Sequence, residues 1–364
     1  MTAIPVLRPS ADSYQIVPDV PDLDEAFVAD TLQYYRDLVI AEIRAVIATK
    51  RFRRTLSARL AEYPLRMGKG LRPSLCLATC RAFGGGLDDA LPSAVALELF
   101  HNAFLVHDDI EDESIHRRGA PTIHEKYGVA IAINVGDALS VLTMTPLLQN
   151  LEVIGLERAL RVFREIEQMG RQSVDGQAME LEWVKNRFWN LTDRHYHIMT
   201  TKKTCWYTCI TPFRIGALIG GGPDVDLDQF VAFGRNLGIA FQIQDDILNL
   251  IGEEGRYGKE TAGDIWEGKR TLMLIKLLER SSGQQRERVI EIFSKDRSEK
   301  TAGDVDYVLD LMHEHGCLEY ARSVSVRFAQ KARDMFRHDM RQLPDSPDKR
   351  FIERTIDYVI QRDI

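Results

Sequence analysis

The chain has 364 residues, 45% of them hydrophobic and 28% charged, and a formal net charge of −7. This is ample apolar material for a core, and the acidic balance argues against nucleic acid as the main partner. No run of 18 or more apolar residues occurs, so no membrane span is expected.

The N-terminus, MTAIPVLRPSADSYQIVPDVPDLDE, lacks the basic start and apolar centre of a signal peptide. Its prolines and polar residues predict a loose arm over 1–22, with one folded domain over 23–364 and a cytoplasmic location. Val28, Leu32, Tyr35, Val39, Ile43 and Val46 recur every three or four residues, a helical stripe. Similar spacing marks 92–107, 155–184, 227–250, 271–280 and 303–337. Strand-like alternation is scarce, its best candidate being the alanine-rich VAIAINV at 129–135. Glycine-rich or polar breaks fall at FGGGLDD (83–89), RRGAPT (117–122), GGGPDVD (220–226), GEEGRYGKETAGD (252–264) and RSSGQQ (280–285). The charged stretch 282–301 reads as a solvated loop or helix end. The prediction is an all-α chain, one helical bundle without tandem repeats. Cys76/Cys80 and Cys205/Cys209 are each spaced i,i+4, which allows a split metal site. Small buried residues in a reducing compartment are the preferred reading.

The chemistry concentrates in ELFHNAFLVHDDIEDESIHRRG, residues 98–119. Asp108 and Asp112 fall on one helix face, one turn apart, with Asp109 beside them. Like charges at that spacing destabilise a helix unless something offsets them, and carboxylate oxygens suit Mg²⁺ that shares its shell with phosphates. A second cluster, Asp245, Asp246 and Asn249 in GIAFQIQDDILNLIG, also follows an apolar helical stretch. Facing each other, the two could hold several Mg²⁺ ions around one diphosphate. Lys69, Arg72, Arg117, Arg118, Lys203, Lys259 and Lys269 lie near these motifs or near glycine breaks, and such cations bind phosphate.

These stretches resemble the trans (head-to-tail) isoprenyl diphosphate synthases, and geranylgeranyl diphosphate synthases most. The matching segments are GKGLRP (68–73), ELFHNAFLVHDDIEDESIHRRGAPT (98–122), NVGDAL (134–139), DGQAMEL (175–181), KKT (202–204), FQIQDDILN (241–249) and GKETAGDIWEGKRTL (258–272). The resemblance implies an all-α homodimer with a deep cavity between helices. It also implies a prenyltransferase that condenses isopentenyl diphosphate with allylic diphosphates. Asp108, Asp109 and Asp112 match the first aspartate motif and Asp245 and Asp246 the second, with Asn249 where some members have aspartate. Together they would hold Mg²⁺, three ions with substrate bound, for which Mn²⁺ could substitute. Arg117, Lys203, Thr204, Gln242, Lys259 and Lys269 match positions that touch the allylic diphosphate or close over it. The aspartates with Arg117, Lys203 and Lys259 are the expected catalytic set. Lys69, Arg72, His101 and Arg118 match the isopentenyl diphosphate site. Asn249 is a neutral substitute, and the C-terminus YVIQRDI lacks the basic tail of some members.

Residues four and five before the first aspartate, Phe104 and Ala103, match the family's cavity floor. One aromatic beside one small residue favours a C20 product, with C15 or C25 and longer as alternatives. Three other classes compete. A class I terpene cyclase would need a second motif of the Asn-Asp…Ser/Thr…Glu kind, where this chain has DDILN. An HD-type phosphohydrolase would use His107 and Asp108 with further metal ligands on other helices. A non-catalytic partner subunit would typically have lost an aspartate motif, and both are present.

Overall fold

The protein is described here by a computed structural model covering residues 24–49, 52–66, 68–252 and 261–361. The proposed arm over 1–22 lies outside these residues. The chain is all-α as expected. Helices α1 (Asp24–Thr49), α2 (Arg54–Leu60), α3 (Glu62–Leu65), α4 (Leu71–Ala82) and α5 (Leu87–Glu111) come first. Then follow α6 (Ile123–Tyr127), α7 (Val129–Leu142), α8 (Met144–Val153), α9 (Gly155–Lys185), α10 (Asp193–Thr200), a π-helical segment Thr201–Ile210, α11 (Thr211–Gly221) and α12 (Gln229–Ile251). Helices Gly263–Glu267, Leu272–Arg280, Gly283–Phe293, Ala302–Glu314, Cys317–Asp339 and Pro347–Gln361 complete the order. Among the described residues the one sheet is a two-stranded antiparallel hairpin that pairs His116 with Pro121 and Arg117 with Ala120.

Three expectations need correction. VAIAINV is helical, forming the start of α7, because its alanines carry the highest helix propensity and its neighbours offer no strand to pair with. The 303–337 stripe is two helices, parted at Gly316, whose φ of 61° is the left-handed conformation that ends a helix. The stretch 282–301 is mostly helix Gly283–Phe293, which buries Val289, Ile292 and Phe293 on one face.

Two helices organise the bundle. Helix α5 buries Ala94, Val95, Leu97, Leu99, Ala103 and Val106, so it is apolar nearly all round and sits at the centre. Helix α12 is equally buried, from Phe230 to Leu250. Both run their apolar lengths through the core and end in acidic residues. The π segment is wedged between α9 and α12, and glycines make the approach possible. A Cβ at Gly176 would lie 2.2 Å from the Lys203 backbone nitrogen, and one at Gly238 would lie 2.7 Å from Cys205 Sγ. Cys205 is therefore a small residue at a helix crossing, and all five cysteines are free and buried.

The outer faces of α7, α8 and α9 are apolar. Ile133, Val141, Leu148, Leu156, Leu160 and Phe163 are exposed, Val141 by 68% and Leu148 by 64%. The stretch Val129–Val153 is long and apolar enough to cross a membrane, at a mean hydropathy of 1.5, with 44% of that window buried. This qualifies the expectation of no membrane span: helical length and hydropathy are met here without an unbroken apolar run, because Asn134, Asp137, Gln149 and Asn150 interrupt it.

Candidate active site

A cavity of 810 Å³ opens between α5, α9, the π segment and α12. Phe104, Leu105, Val174, Leu181, Met199 and Phe241 supply apolar wall. Acidic and basic side chains ring the rest: Lys69, Arg72, Asp108, Arg117, Arg118, Lys203, Asp245, Asp246, Asp264 and Lys269. His101, Thr204, Gln242 and Asn249 also line it. Fourteen of the expected site residues thus meet at one cavity. Asp109 and Asp112 stand just behind its lining, and Lys259 lies outside the described residues.

Asp108 is in the last turn of α5 and Asp112 caps its end. A helix C-terminus carries partial negative charge, so carboxylates there need cations. They have them. Asp108 lies 3.4 Å from Lys203 Nζ and 3.6 Å from Arg117 Nη2. Asp112 lies 2.7 Å from Lys269 Nζ, which also reaches Glu267 at 2.7 Å. Lys203 is paired in addition with Glu180 on α9. Burial pushes the Asp112 carboxyl up to about 7; Asp108 and Glu267 add to the rise and Lys269 opposes it.

Asp109 differs from its neighbours. It is fully buried and its two oxygens are already bonded. Arg117 Nε donates to Oδ1 at 2.8 Å, with Nη2 on the same oxygen, and the Tyr63 hydroxyl donates to Oδ2 at 2.5 Å. Both oxygens of Asp109 are thus engaged inside the protein, and the residue clamps Arg117 beside the cavity.

On α12, Asp245 and Asp246 line the cavity. Tyr196 donates to Asp246 Oδ2 at 2.7 Å and the Gln242 amide to Oδ1 at 2.7 Å. Thr204 in turn donates to Gln242 Oε1 at 2.9 Å, which fixes the amide's orientation. Burial raises the Asp246 carboxyl to about 7, against the lowering effect of these two hydrogen bonds. Asn249 lines the cavity and also supports the helix that follows. Its Oδ1 accepts from the Asp264 backbone N–H at 3.0 Å and its own carbonyl accepts from Ala262 at 2.7 Å. It satisfies the open N-terminus of helix Gly263–Glu267, a structural task that an amide performs as well as a carboxylate.

The residues expected at the second diphosphate site also lie together. Arg72 Nη1 lies 3.2 Å from His101 Nε2, and both stack on Tyr207 of the π segment, Arg72 at 4.4 Å and His101 at 5.7 Å from its ring centre. Burial first, then Arg72, Arg118 and Arg117, hold His101 well below the usual imidazole range, so it is neutral. Arg118, with φ of 53°, lies flat on Gly68, where a Cβ would be 2.7 Å from its guanidinium carbon. Its Nη1 donates to the Tyr63 carbonyl at 3.0 Å. Lys69 Nζ sits 5.6 Å above the Tyr358 ring. Arg72 Nε and His101 Nδ1 are buried with no hydrogen-bond partner among the described residues, which suits a site for an anion.

Of the floor residues, Phe104 lines the cavity and packs edge-on against Phe100 at 4.7 Å and Tyr207 at 5.9 Å. Ala103 is in the core, 1% exposed, and is not part of the lining. That face of α5 packs into the bundle beside Phe104.

The polyprenyl synthetase family model matches residues 54–312. The chain belongs to the polyprenyl synthetase family. This polyprenyl synthetase is 32% identical to a short chain isoprenyl diphosphate synthase of Methanothermobacter thermautotrophicus, over 92% of this chain and 99% of the relative. It is 31% identical to a geranylgeranyl diphosphate synthase of Methanosarcina mazei, over 81% of this chain and 86% of that one. The crystal structure of a geranylgeranyl pyrophosphate synthetase from Pyrococcus horikoshii superposes with a TM-score of 0.81 at 32% identity, covering 93% and 99% of the two chains. The chain is thus a prenyltransferase, an enzyme of prenyl-chain condensation, rather than a cyclase or a phosphohydrolase. His107 stands 3.5 Å from Asp137 and belongs to no cluster of metal ligands among the described residues.

Sequence reasoning gave no role to Tyr63, Glu180, Tyr196, Tyr207, Asp264 or Glu267. Three of these had a signal: Glu180 lies in DGQAMEL, and Asp264 and Glu267 lie in GKETAGDIWEGKRTL.

Proposed function

We propose that this polyprenyl synthetase condenses isopentenyl diphosphate with an allylic diphosphate and releases mainly the C20 product. The observation that carries this is the single cavity, with two acidic helix ends and a cationic ring at its mouth and an apolar wall leading to Phe104. The donor set fits Mg²⁺: Asp108 and Asp245 present carboxylate oxygens to the cavity, with Asp112 and Asp246 beside them. No three such side chains already converge on one point among the described residues. That suits an ion that completes its shell with waters and substrate phosphates, three ions in all, with Mn²⁺ as a substitute. When bound, Mg²⁺ supplies neutralisation of the charge that grows on the departing diphosphate.

The rest is work of the protein's own groups. Lys203, Arg117 and Lys269 donate to the allylic diphosphate and stabilise it as the C–O bond ionises. Phe104, Leu105, Leu181 and Phe241 keep water from the allylic cation. Lys69, Arg72, Arg118 and His101 hold the isopentenyl diphosphate so that its double bond attacks. The released diphosphate, held next to the new bond, takes the proton.

We infer a homodimer joined through the exposed apolar faces of α7, α8 and α9, since an apolar patch of this extent calls for a partner. Free, buried cysteines support a cytoplasmic setting. The test is product analysis with isopentenyl diphosphate, Mg²⁺ and C5, C10 or C15 starters in separate reactions. A dominant C20 alcohol after dephosphorylation is expected. A C15 or C25 product would keep the reaction and remove Phe104 as the floor of a C20 cavity. Absence of any elongation would overturn the reaction itself.

A further inference from the structure

We propose that Tyr63 is a positioning residue that couples the two diphosphate subsites. The proposal rests on the reaction assigned above. Tyr63 belongs to α3, which carries no residue of either aspartate motif. It is 1% exposed, and three bonds converge on it. Its hydroxyl donates to Asp109 Oδ2 at 2.5 Å and accepts from the Ile123 backbone N–H at 3.2 Å. Its carbonyl accepts from Arg118 Nη1 at 3.0 Å. Asp109 in turn holds Arg117, which faces the allylic side, and Arg118 belongs to the isopentenyl side. One residue therefore touches the supports of both adjacent arginines.

The geometry gives each contact a direction. Glu113 and Arg118 both have positive φ, 54° and 53°, so the Glu113–Thr122 hairpin turns sharply twice. Such a segment needs outside ties to keep its arginines aimed. Tyr63 ties its base at Asp109 and its far end at Ile123, and Arg66 adds a bond to the Arg117 carbonyl at 3.3 Å. Arg66 also covers the Tyr63 ring at 4.6 Å, which seals the hydroxyl from solvent. Burial, and then the charge of Asp109, keeps the phenol protonated and hence a donor. A diphosphate that draws Arg117 forward on one side would pull Asp109 against Tyr63, and through the α3 backbone bear on Arg118 on the other.

Tyr63→Phe keeps the ring and deletes only the hydroxyl. Its kcat is expected to fall about 10- to 100-fold, as for a buried hydrogen bond to a charged group. The KM for isopentenyl diphosphate should rise with it, although the hydroxyl touches neither substrate. Tyr127→Phe is the comparator: it deletes another phenol hydroxyl that donates to a carboxylate of the same helix, Glu62, and leaves Asp109 and Arg66 alone. It should lower the thermal midpoint while both kinetic constants stay within about twofold. Combining Tyr63→Phe with Asp109→Asn should cost little more than Asp109→Asn alone, because both act through one bond. Tyr63→Phe that behaves like Tyr127→Phe, or losses that simply add in the double variant, would overturn the proposal. Calorimetric titration with Mg²⁺ and inorganic diphosphate reads the coupling without turnover. A parent protein that makes no product would therefore overturn the assigned reaction, while the titration of Tyr63→Phe still decides the role of Tyr63.

Discussion

At the end of α5 the carboxylates sit among cations: Lys203 and Arg117 beside Asp108, Arg117 on Asp109, Lys269 on Asp112. At the end of α12 Asp246 is held by a phenol and an amide, Tyr196 and Gln242. The first arrangement cancels charge; the second orients a carboxylate without cancelling it. A diphosphate arriving at the α5 end would take over cations that already have partners, which makes binding there an exchange. Asp246 is aimed by neutral donors, and on the proposed function it is the carboxylate to which a divalent ion would be drawn.

The largest expected effect comes from deleting the acids that face the cavity. Asp108→Ala and Asp245→Ala should each lower kcat by about 10³-fold or more, the scale seen when a group that stabilises developing charge is lost. Steady-state rates at saturating Mg²⁺ decide it, and a loss below tenfold at either position would remove that helix end from the chemistry. Partner deletion separates the two ends further. Lys203→Met should act mainly on the KM for the allylic diphosphate, by about 10-fold to 100-fold, since it removes a charge-assisted contact. Tyr196→Phe should instead raise the Mg²⁺ concentration for half-maximal rate by about tenfold, because Asp246 loses the bond that aims it. If the two variants shift the same constant, the proposed division between exchange and orientation is wrong.

The features legible in the sequence were local ones. Apolar spacing gave the helices, and the aspartate motifs each lie within one helix end, so a short window contains them. What was not legible is what long chain separation brings together. Tyr63 is 46 residues from Asp109 and Tyr196 is 50 from Asp246. No spacing rule links such pairs, since only the packing of α3 on α5 and of α10 on α12 makes them neighbours. The π segment was hidden for a similar reason. TKKTCWYTCI reads as ordinary helix, and its wider turn is held where Gly176 and Gly238 let α9 and α12 close on it. The second task of Asn249 was hidden in the same way: its side chain accepts from the Asp264 backbone N–H, 15 residues on, and no motif reports that bond.

A third carboxylate, remote from both motifs, stands in the opposite electrostatic setting. Asp304 lies in the first turn of Ala302–Glu314, where the unpaired backbone N–H groups favour negative charge. It accepts from the Thr301 N–H at 3.1 Å and meets Lys295 at 2.8 Å and Arg288 at 2.9 Å. The Lys295 bond is the largest cause that lowers its carboxyl to about 2, the opposite direction from Asp112 and Asp246 at their helix C-terminal ends. Because the folded value lies below the ordinary one, Asp304 stabilises the fold at pH above the ordinary carboxylate value. That contribution is lost as pH falls through about 2. Asp304→Ala should therefore lower unfolding free energy at neutral pH by about 1 kcal/mol, the usual worth of a helix cap. The difference from the parent should shrink as pH drops below the ordinary range, with kcat untouched throughout. Denaturant midpoints measured from neutral pH down to the acid limit of folding decide it. A pH-independent gap would mean that Asp304 acts by shape and that its bond to Lys295 does not carry the stabilisation.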